Sequence, residues 1–265
     1  MADVPSPLNT LLLRACLGDA DALRAWEGTA DIEAHDADMH ALLPLLHDGA
    51  QARGWALKHA ARIAGVYRFW FARNQTTLYT LNGARAALAD DGIDALVHGA
   101  AALMLDAPRI ALCPAESGAL LVRPADQGRA AHSLQAAGWA AQGWTPRHRV
   151  AYSERLTFTR GDQQISLRWH AIDWRCAPGA DDALWVRART LTDDSGLRLP
   201  APLDLLLMLA AQPLIVLGQP VPALRRALAQ LLLTRLSAAE VEAAAAQYAI
   251  RPHVRLLLFD EQPGA

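Results

Sequence analysis

Arg155-Leu156-Thr157-Phe158-Thr159-Arg160-Gly161-Asp162-Gln163-Gln164-Ile165-Ser166-Leu167-Arg168-Trp169-His170 is the stretch on which the fold turns. Gly161-Asp162 is a two-residue turn of the Gly-X kind, which suits a tight hairpin because glycine accepts a positive φ at the first corner. Both arms alternate with a period of two. Leu156 and Phe158 lie on one side of the first arm, and Ile165, Leu167 and Trp169 on one side of the second. Ser166, Arg168 and His170 share the opposite face of the second arm. The stretch is therefore a β-hairpin with one apolar face for a core and one polar face left over.

Upstream of the hairpin, residues 93–97 are a strand-like run that ends at His98-Gly99. Residues 100–105 are helical. Residues 120–122 form a second apolar run, bounded by Gly118 and Pro124. A helix over 125–137 places Ala130, Leu134 and Ala137 on one face, with Gly138 as its stop. Residues up to 91 read as helix throughout, in amphipathic pieces at 11–17, 20–26, 39–48 and 50–63. A longer helix then carries Val66, Phe69, Trp70, Leu78, Leu81 and Leu88 as one buried stripe and stops at Gly92. Beyond the hairpin, helices are expected over 203–211, 221–233 and 238–248, the last opened by a capping box between Ser237 and Glu240. The chain thus divides into a helical N-terminal region (1–91), an α/β core (92–182) and a C-terminal helical region (183–265). No internal repeat appears.

The 265 residues are 52% hydrophobic and 20% charged, enough apolar material for a real core. A net charge of −2 lacks the basic excess of a dedicated nucleic-acid binder, so no nucleic-acid partner is expected. Cys16, Cys113 and Cys176 are too few and too scattered for a disulfide framework, which points to a reducing cytoplasm. The apolar run at 11–13 is broken by Arg14 and makes no signal-peptide core. The most apolar stretch, 203–217, contains Asp204, Gln212 and Pro213, so no membrane span is expected. Lys58 is the single lysine. It is placed on a solvated helix face beside His59, so no lysine chemistry is assigned.

No Walker loop, dinucleotide-binding glycine pattern, HExxH or GxSxG is present. The order of the parts is more informative: strand, glycine turn, short helix, strand, helix, hairpin. The residues carrying it are Asn74, Gly92-Ile93, Val97-His98-Gly99-Ala100-Ala101, Leu120-Leu121-Val122-Arg123-Pro124, Gly138-Trp139, Leu167-Arg168-Trp169, Leu184-Trp185 and Leu203-Asp204-Leu205-Leu206. In these the chain resembles the nucleotidyltransferase superfamily of DNA polymerase beta type, and within it the bacterial group called the uncharacterised nucleotidyltransferase family. The resemblance implies an α+β fold, a polymerase-beta-like core with a small mixed sheet flanked by N- and C-terminal helical zones.

It also implies a site at the end of the sheet. In the family, a Lys-Gly turn follows the first strand, an Asp-x-Asp pair precedes the Leu-Leu-Val run, and a third Asp precedes Leu-His-Trp on the hairpin arm. Such carboxylates hold magnesium, which neutralises phosphate charge and aligns attacker with leaving group. This chain departs from the pattern at each position: the pair is Ser117 and Ala119, the hairpin residue is Ser166, the turn lysine is His98, and the family's histidine before tryptophan is Arg168. No catalytic residue and no metal ligand is therefore assigned.

The candidate ligand-binding residues are His98, Gly99, Ser117, Ser166, Arg168 and His170. Glu116 is the acid available to rebuild a site, with Asp126 and Asp173 as further carboxylates. Asp126 reads more simply as a helix cap and Asp173 as a loop cap. Trp139, Trp144, Trp169 and Trp174 read as core and cleft-wall residues, and Arg147-His148-Arg149 as a solvated loop. Ser117, Ala119 and Ser166 are expected to converge beside Gly99. Three functions follow: a non-catalytic binding or accessory protein for a biosynthetic enzyme, which takes a nucleotide, a peptide or a partner protein and needs no cofactor; an active transferase of a nucleotidyl or related phosphate-linked group, using magnesium with a nucleoside triphosphate through Glu116 and another acid; or an interaction module with an empty cleft. The missing carboxylates favour the first and third, and the preserved scaffold and remaining polar residues favour the first and second, so the first leads.

Overall fold

The computed structural model describes residues 7–33, 36–142, 155–172, 175–192, 195–211 and 221–259. Asp173, Trp174, Trp144 and Arg147-His148-Arg149, weighed above from the sequence, lie outside the described residues. The chain forms two compact units: residues 1–72, 107–114 and 205–265 in one, and residues 73–106 and 115–204 in the other. The sequence division at 91 and 182 follows secondary structure; these units follow packing.

The first unit is helical. Helices α1 (Pro7–Cys16), α2 (Ala20–Thr29) and α3 (Ala37–Arg53) precede α4 (Ala60–Asp90), whose first part, to residue 72, belongs here. Leu12, Trp26, Leu42, Leu43, Leu46, Ile63 and Trp70 fill the core. Two carboxylates fix its joints. Asp36 caps α3 by accepting from the Met39 N–H at 2.7 Å, and Asp38 accepts from the Ala223 N–H at 2.9 Å, at the start of a later helix (Ala223–Leu233). That helix is followed by Ala238–Gln247, with the expected capping box, and by Arg251–Phe259.

The sequence reading ran helix through 50–63. The chain instead leaves α3 at Gly54, which takes φ +67°, and re-enters helix at Ala60. Glycine's freedom in the left-handed region outweighs the apolar period there. Lys58 therefore sits in the turn, not on a helix face; its N–H donates to Glu27 Oε1 at 2.7 Å and its Nζ to the Glu27 carbonyl at 3.2 Å. Phe69, assigned to the buried stripe, is half exposed, and the described stripe is Val66, Trp70, Leu81 and Leu88.

The second unit is built on a five-stranded mixed sheet. Strands β1 (Ala95–Val97), β2 (Gly118–Val122), β3 (Ala140–Ala141), β4 (Arg155–Arg160) and β5 (Gln163–Arg168) lie in the order β1-β2-β5-β4-β3. Only the β2–β5 pairing is parallel. The hairpin forms as its sequence dictates, with Gly161 at φ +62°. Its apolar side and that of β2 are buried: Leu120, Leu156, Phe158, Ile165, Leu167 and Trp169. Against this side lies the second part of α4, since a Cβ on Gly118 would come within 2.9 Å of Leu81.

Helix α5 (Gly99–Asp106) follows β1, and α6 (Gln127–Ala136) follows β2 after a 3-10 turn, Pro124–Asp126. On α6 the buried face is Ala130, Ser133 and Leu134; Ala137, expected on it, is exposed beyond the helix end. Asp126 stands at the head of α6 without a side-chain cap and pairs instead with Arg129 at 2.8 Å. A short helix, α7 (Asp182–Arg187), and a two-stranded ribbon (Arg189–Thr190 with Arg198–Leu199) close this unit. Helix α8 (Pro202–Ala210) begins in this unit and continues into the other. No helix among the described residues is long and apolar enough to cross a membrane.

Candidate functional site

The polar face of the sheet is fixed by register. Residues paired across strands share a face, and faces alternate along each strand. Gly118, Leu120, Ile165 and Leu167 face α4, so Ser117, Ala119 and Leu121 on the β2 segment and Ser166 and Arg168 on β5 face the other way. Ala119 is the direct partner of Ser166 across the parallel pair, and Leu121 is the partner of Arg168. Adjacent strands stand about 4.8 Å apart. On the far side of β5, Thr157 pairs with Ser166 and Arg155 with Arg168.

The expected convergence is therefore met for Ala119 and Ser166, with Ser117 two residues back along the same edge. Exposure falls along this face: Ser117 is exposed, Ala119 and Ser166 are half-buried, and Leu121 is fully buried. Glu116 is exposed and lies before the strand begins.

His98 and Gly99 stand where β1 passes into α5. The His98 N–H donates to the Ala119 carbonyl at 2.9 Å, extending the ladder by one bond. The His98 ring is buried, with Nε2 3.1 Å from the Ala171 carbonyl. A carbonyl only accepts, so Nε2 carries the proton in that contact. His98 is thus bonded into the fold at both its backbone and its ring. Gly99 takes φ +65°, the sharp exit from strand to helix, and space around its missing Cβ is open.

The Ala171 peptide is held from its other side as well. Its N–H donates to Asp181 Oδ2 at 3.0 Å. Asp181 is buried, its Oδ1 has no hydrogen-bond partner, and His170 Nδ1 lies 3.7 Å from Oδ2. Burial pushes the Asp181 carboxyl above its ordinary value, against the lowering effects of the Ala171 N–H, His170 and Arg175.

A second peptide is gripped in the same way ahead of β2. The Ala115 N–H donates to Asn74 Oδ1 at 3.1 Å, and its carbonyl accepts from Thr77 Oγ1 at 3.0 Å. Both side chains come from α4 and are buried. They set where Glu116 and Ser117 emerge.

The sequence reading singled out Ser117, Ser166, Arg168 and His170 and missed Arg155, Thr157 and Asp181. Alternation along the first hairpin arm would have found Arg155 and Thr157. Asp181 had no local signal, because its role depends on a contact with Ala171.

Chemically, the three central positions offer a hydroxyl, a methyl and a hydroxyl. This donor set does not fit magnesium, which takes hard anionic oxygens in octahedral geometry. Among the described residues, no group of three or more His, Cys, Asp or Glu side chains gathers to hold a metal ion. Cys113 is buried and its thiol is pushed up to about 12, so it is no nucleophile at neutral pH.

Comparison with known proteins gives one family for the chain. The family described as uncharacterised nucleotidyltransferase matches residues 34–213. No curated protein and no solved structure matches the chain.

Proposed function

The chain belongs to the uncharacterised nucleotidyltransferase family, and from that premise we propose that it keeps the fold while having given up metal-dependent transfer. It acts as a non-catalytic binding or accessory protein, taking a nucleotide, a peptide or a partner protein in support of a biosynthetic enzyme. The free thiols of Cys16, Cys113 and Cys176 suit a reducing cytoplasm.

One observation carries the reading: Ala119 and Ser166 are register partners at the two strands where the family's carboxylates would meet, and neither is an acid. A methyl supplies no ligand atom, and a hydroxyl is a weak neutral donor. Losing one charge-stabilising group at a transition state costs about 3 kcal/mol, and three such losses leave little rate. Glu116 alone is one carboxylate on an exposed approach to the strand, whereas the chemistry needs anionic oxygens on both sides of the metal.

The test is a turnover assay with each nucleoside triphosphate and magnesium or manganese, run beside a binding titration. The expected result is no pyrophosphate release above background. Metal-dependent release that disappears in Glu116→Ala overturns the reading and establishes an active transferase with a rebuilt acid.

A further inference from the structure

The polar face of the sheet is a grid of uncharged hydrogen-bonding groups. Thr157 on β4, Ser166 on β5 and Ala119 on β2 stand side by side across three strands. The next row towards the hairpin corner is Thr159 and Gln164, direct partners on β4 and β5. Alternation puts both rows on the side away from α4. Thr157, Thr159 and Ser166 are half-buried, and Gln164 is exposed. None of these positions carries a charge. Arg155 and Arg168, the row beyond, each have interactions of their own within the chain.

The hydroxyls are placed to act outward. Among the described residues, neither the Thr157 nor the Ser166 hydroxyl is hydrogen-bonded to another protein group. The Thr159 hydroxyl accepts from Gln142 Nε2 at 2.8 Å. That bond uses a lone pair and leaves the O–H to donate. Opposed residues have Cβ atoms about 5 Å apart, so one ligand oxygen can lie about 2.8 Å from both the Thr157 and the Ser166 oxygens. The two rows stand about 6.7 Å apart along the strands, the span of a sugar ring with its substituents. The Ala119 methyl offers the C–H face of such a ring an apolar rest.

We propose that this grid binds a neutral polyhydroxylated small molecule, a sugar ring, through Thr157, Thr159, Gln164 and Ser166, without a divalent cation. Hydroxyls both donate and accept, on the protein and on the ligand, so the pairing is mutual and no charge has to be neutralised. A metal ion finds no carboxylate at these four positions, and a phosphate finds no cation. A free sugar and the ribose of a nucleoside share this chemistry. The inference rests on the non-catalytic binding role proposed above and names the ligand class of that same site.

The test is titration of the isotope-labelled full chain in EDTA with methyl riboside, methyl glucoside, adenosine and inorganic pyrophosphate, followed by amide chemical shifts. Saturable shifts are expected at Thr157, Thr159, Gln164 and Ser166 with a neutral ligand, at an affinity that added salt leaves unchanged. Thr157→Val and Ser166→Ala should each weaken binding about tenfold, the loss of one hydrogen bond. The same spectra show whether each variant is folded. Binding of either glycoside assigns a free sugar as the source of the hydroxyls; adenosine binding with both glycosides silent assigns a nucleoside. Either supports the inference. Silence of all three neutral ligands at these amides overturns it, as does pyrophosphate binding there more tightly than any of them, or binding that neither variant weakens. Such a failure, with no turnover of nucleoside triphosphate, leaves the non-catalytic reading standing, whereas metal-dependent turnover defeats both.

Discussion

At the scale of single residues, two peptide groups do much of the positioning. Ala115 and Ala171 each have the N–H and the carbonyl held by side chains, from Asn74 and Thr77 in one case and from Asp181 and His98 in the other. A buried peptide left unpaired costs about 1–3 kcal/mol per group, so these four side chains fix where the sheet's polar edge begins and ends. Asp181 makes this pH-dependent. Burial raises its carboxyl above the ordinary 3.8, so the folded chain takes up its proton more readily than the unfolded chain. Stability from this group is full below the ordinary value and is lost as pH rises through the raised one. Asp181→Asn keeps the volume and an acceptor for the Ala171 N–H but cannot titrate. Urea midpoints measured from pH 3 upward should show wild type losing ground to the variant across the window just above 3.8, then a constant difference towards neutrality. A difference independent of pH would show that Asp181 does not titrate as a buried acid.

At the scale of elements, local sequence is a good guide where one residue has a single structural option. Gly161 at the hairpin corner, and Gly92 and Gly138 at helix ends, all take positive φ, and the expected turn and stops form there. The capping box of Ser237 and Glu240 is equally local. Elements decided by distant partners were not legible: the ribbon of Arg189–Thr190 with Arg198–Leu199 is too short for a period, and Arg251–Phe259 follows a turn at Ala249 that takes φ +55°, a conformation an alanine does not announce in sequence. For the site, alternation gave the face of Ser166 and Arg168, while the parallel pairing that sets Ala119 beside Ser166 is a long-range choice that no local pattern encodes. Gly118 shows what that pairing demands. Its missing Cβ makes room for Leu81, whose Cδ2 would lie 2.9 Å and Cγ 3.0 Å from an added methyl. Leu81 is fully buried and cannot swing away. Gly118→Ala should therefore cost about 1–3 kcal/mol by overpacking, read as a lowered denaturant midpoint. An unchanged midpoint would mean that α4 is not seated on β2 as described.

At the scale of the whole molecule, the family match over residues 34–213 draws on both packing units, and α4 supplies residues to each. On the proposed reading, the departures from the family pattern are small against that frame: Ser117, Ala119, Ser166 and Arg168 on the polar side of the sheet, and His98 at the turn after β1. The proposed reading asks that fold and activity be separable, and the sheet allows it: the core side is held through Leu120, Phe158, Ile165 and Leu167, whereas 117, 119 and 166 lie on the other side. Acids put back at those positions should therefore find their geometry waiting. In the triple variant Ser117→Asp, Ala119→Asp and Ser166→Asp, three carboxylates crowd one another, so the metal-free chain should melt below wild type. Added manganese should raise its melting temperature, because an ion that binds only the folded state stabilises it by mass action. Paramagnetic resonance should show about one manganese ion bound per chain in the variant, with wild type leaving the ion free. A variant that folds, as judged by circular dichroism, yet neither binds manganese nor is stabilised by it would mean that positions 117, 119 and 166 do not form one site, and the non-catalytic reading would lose the geometry on which it stands.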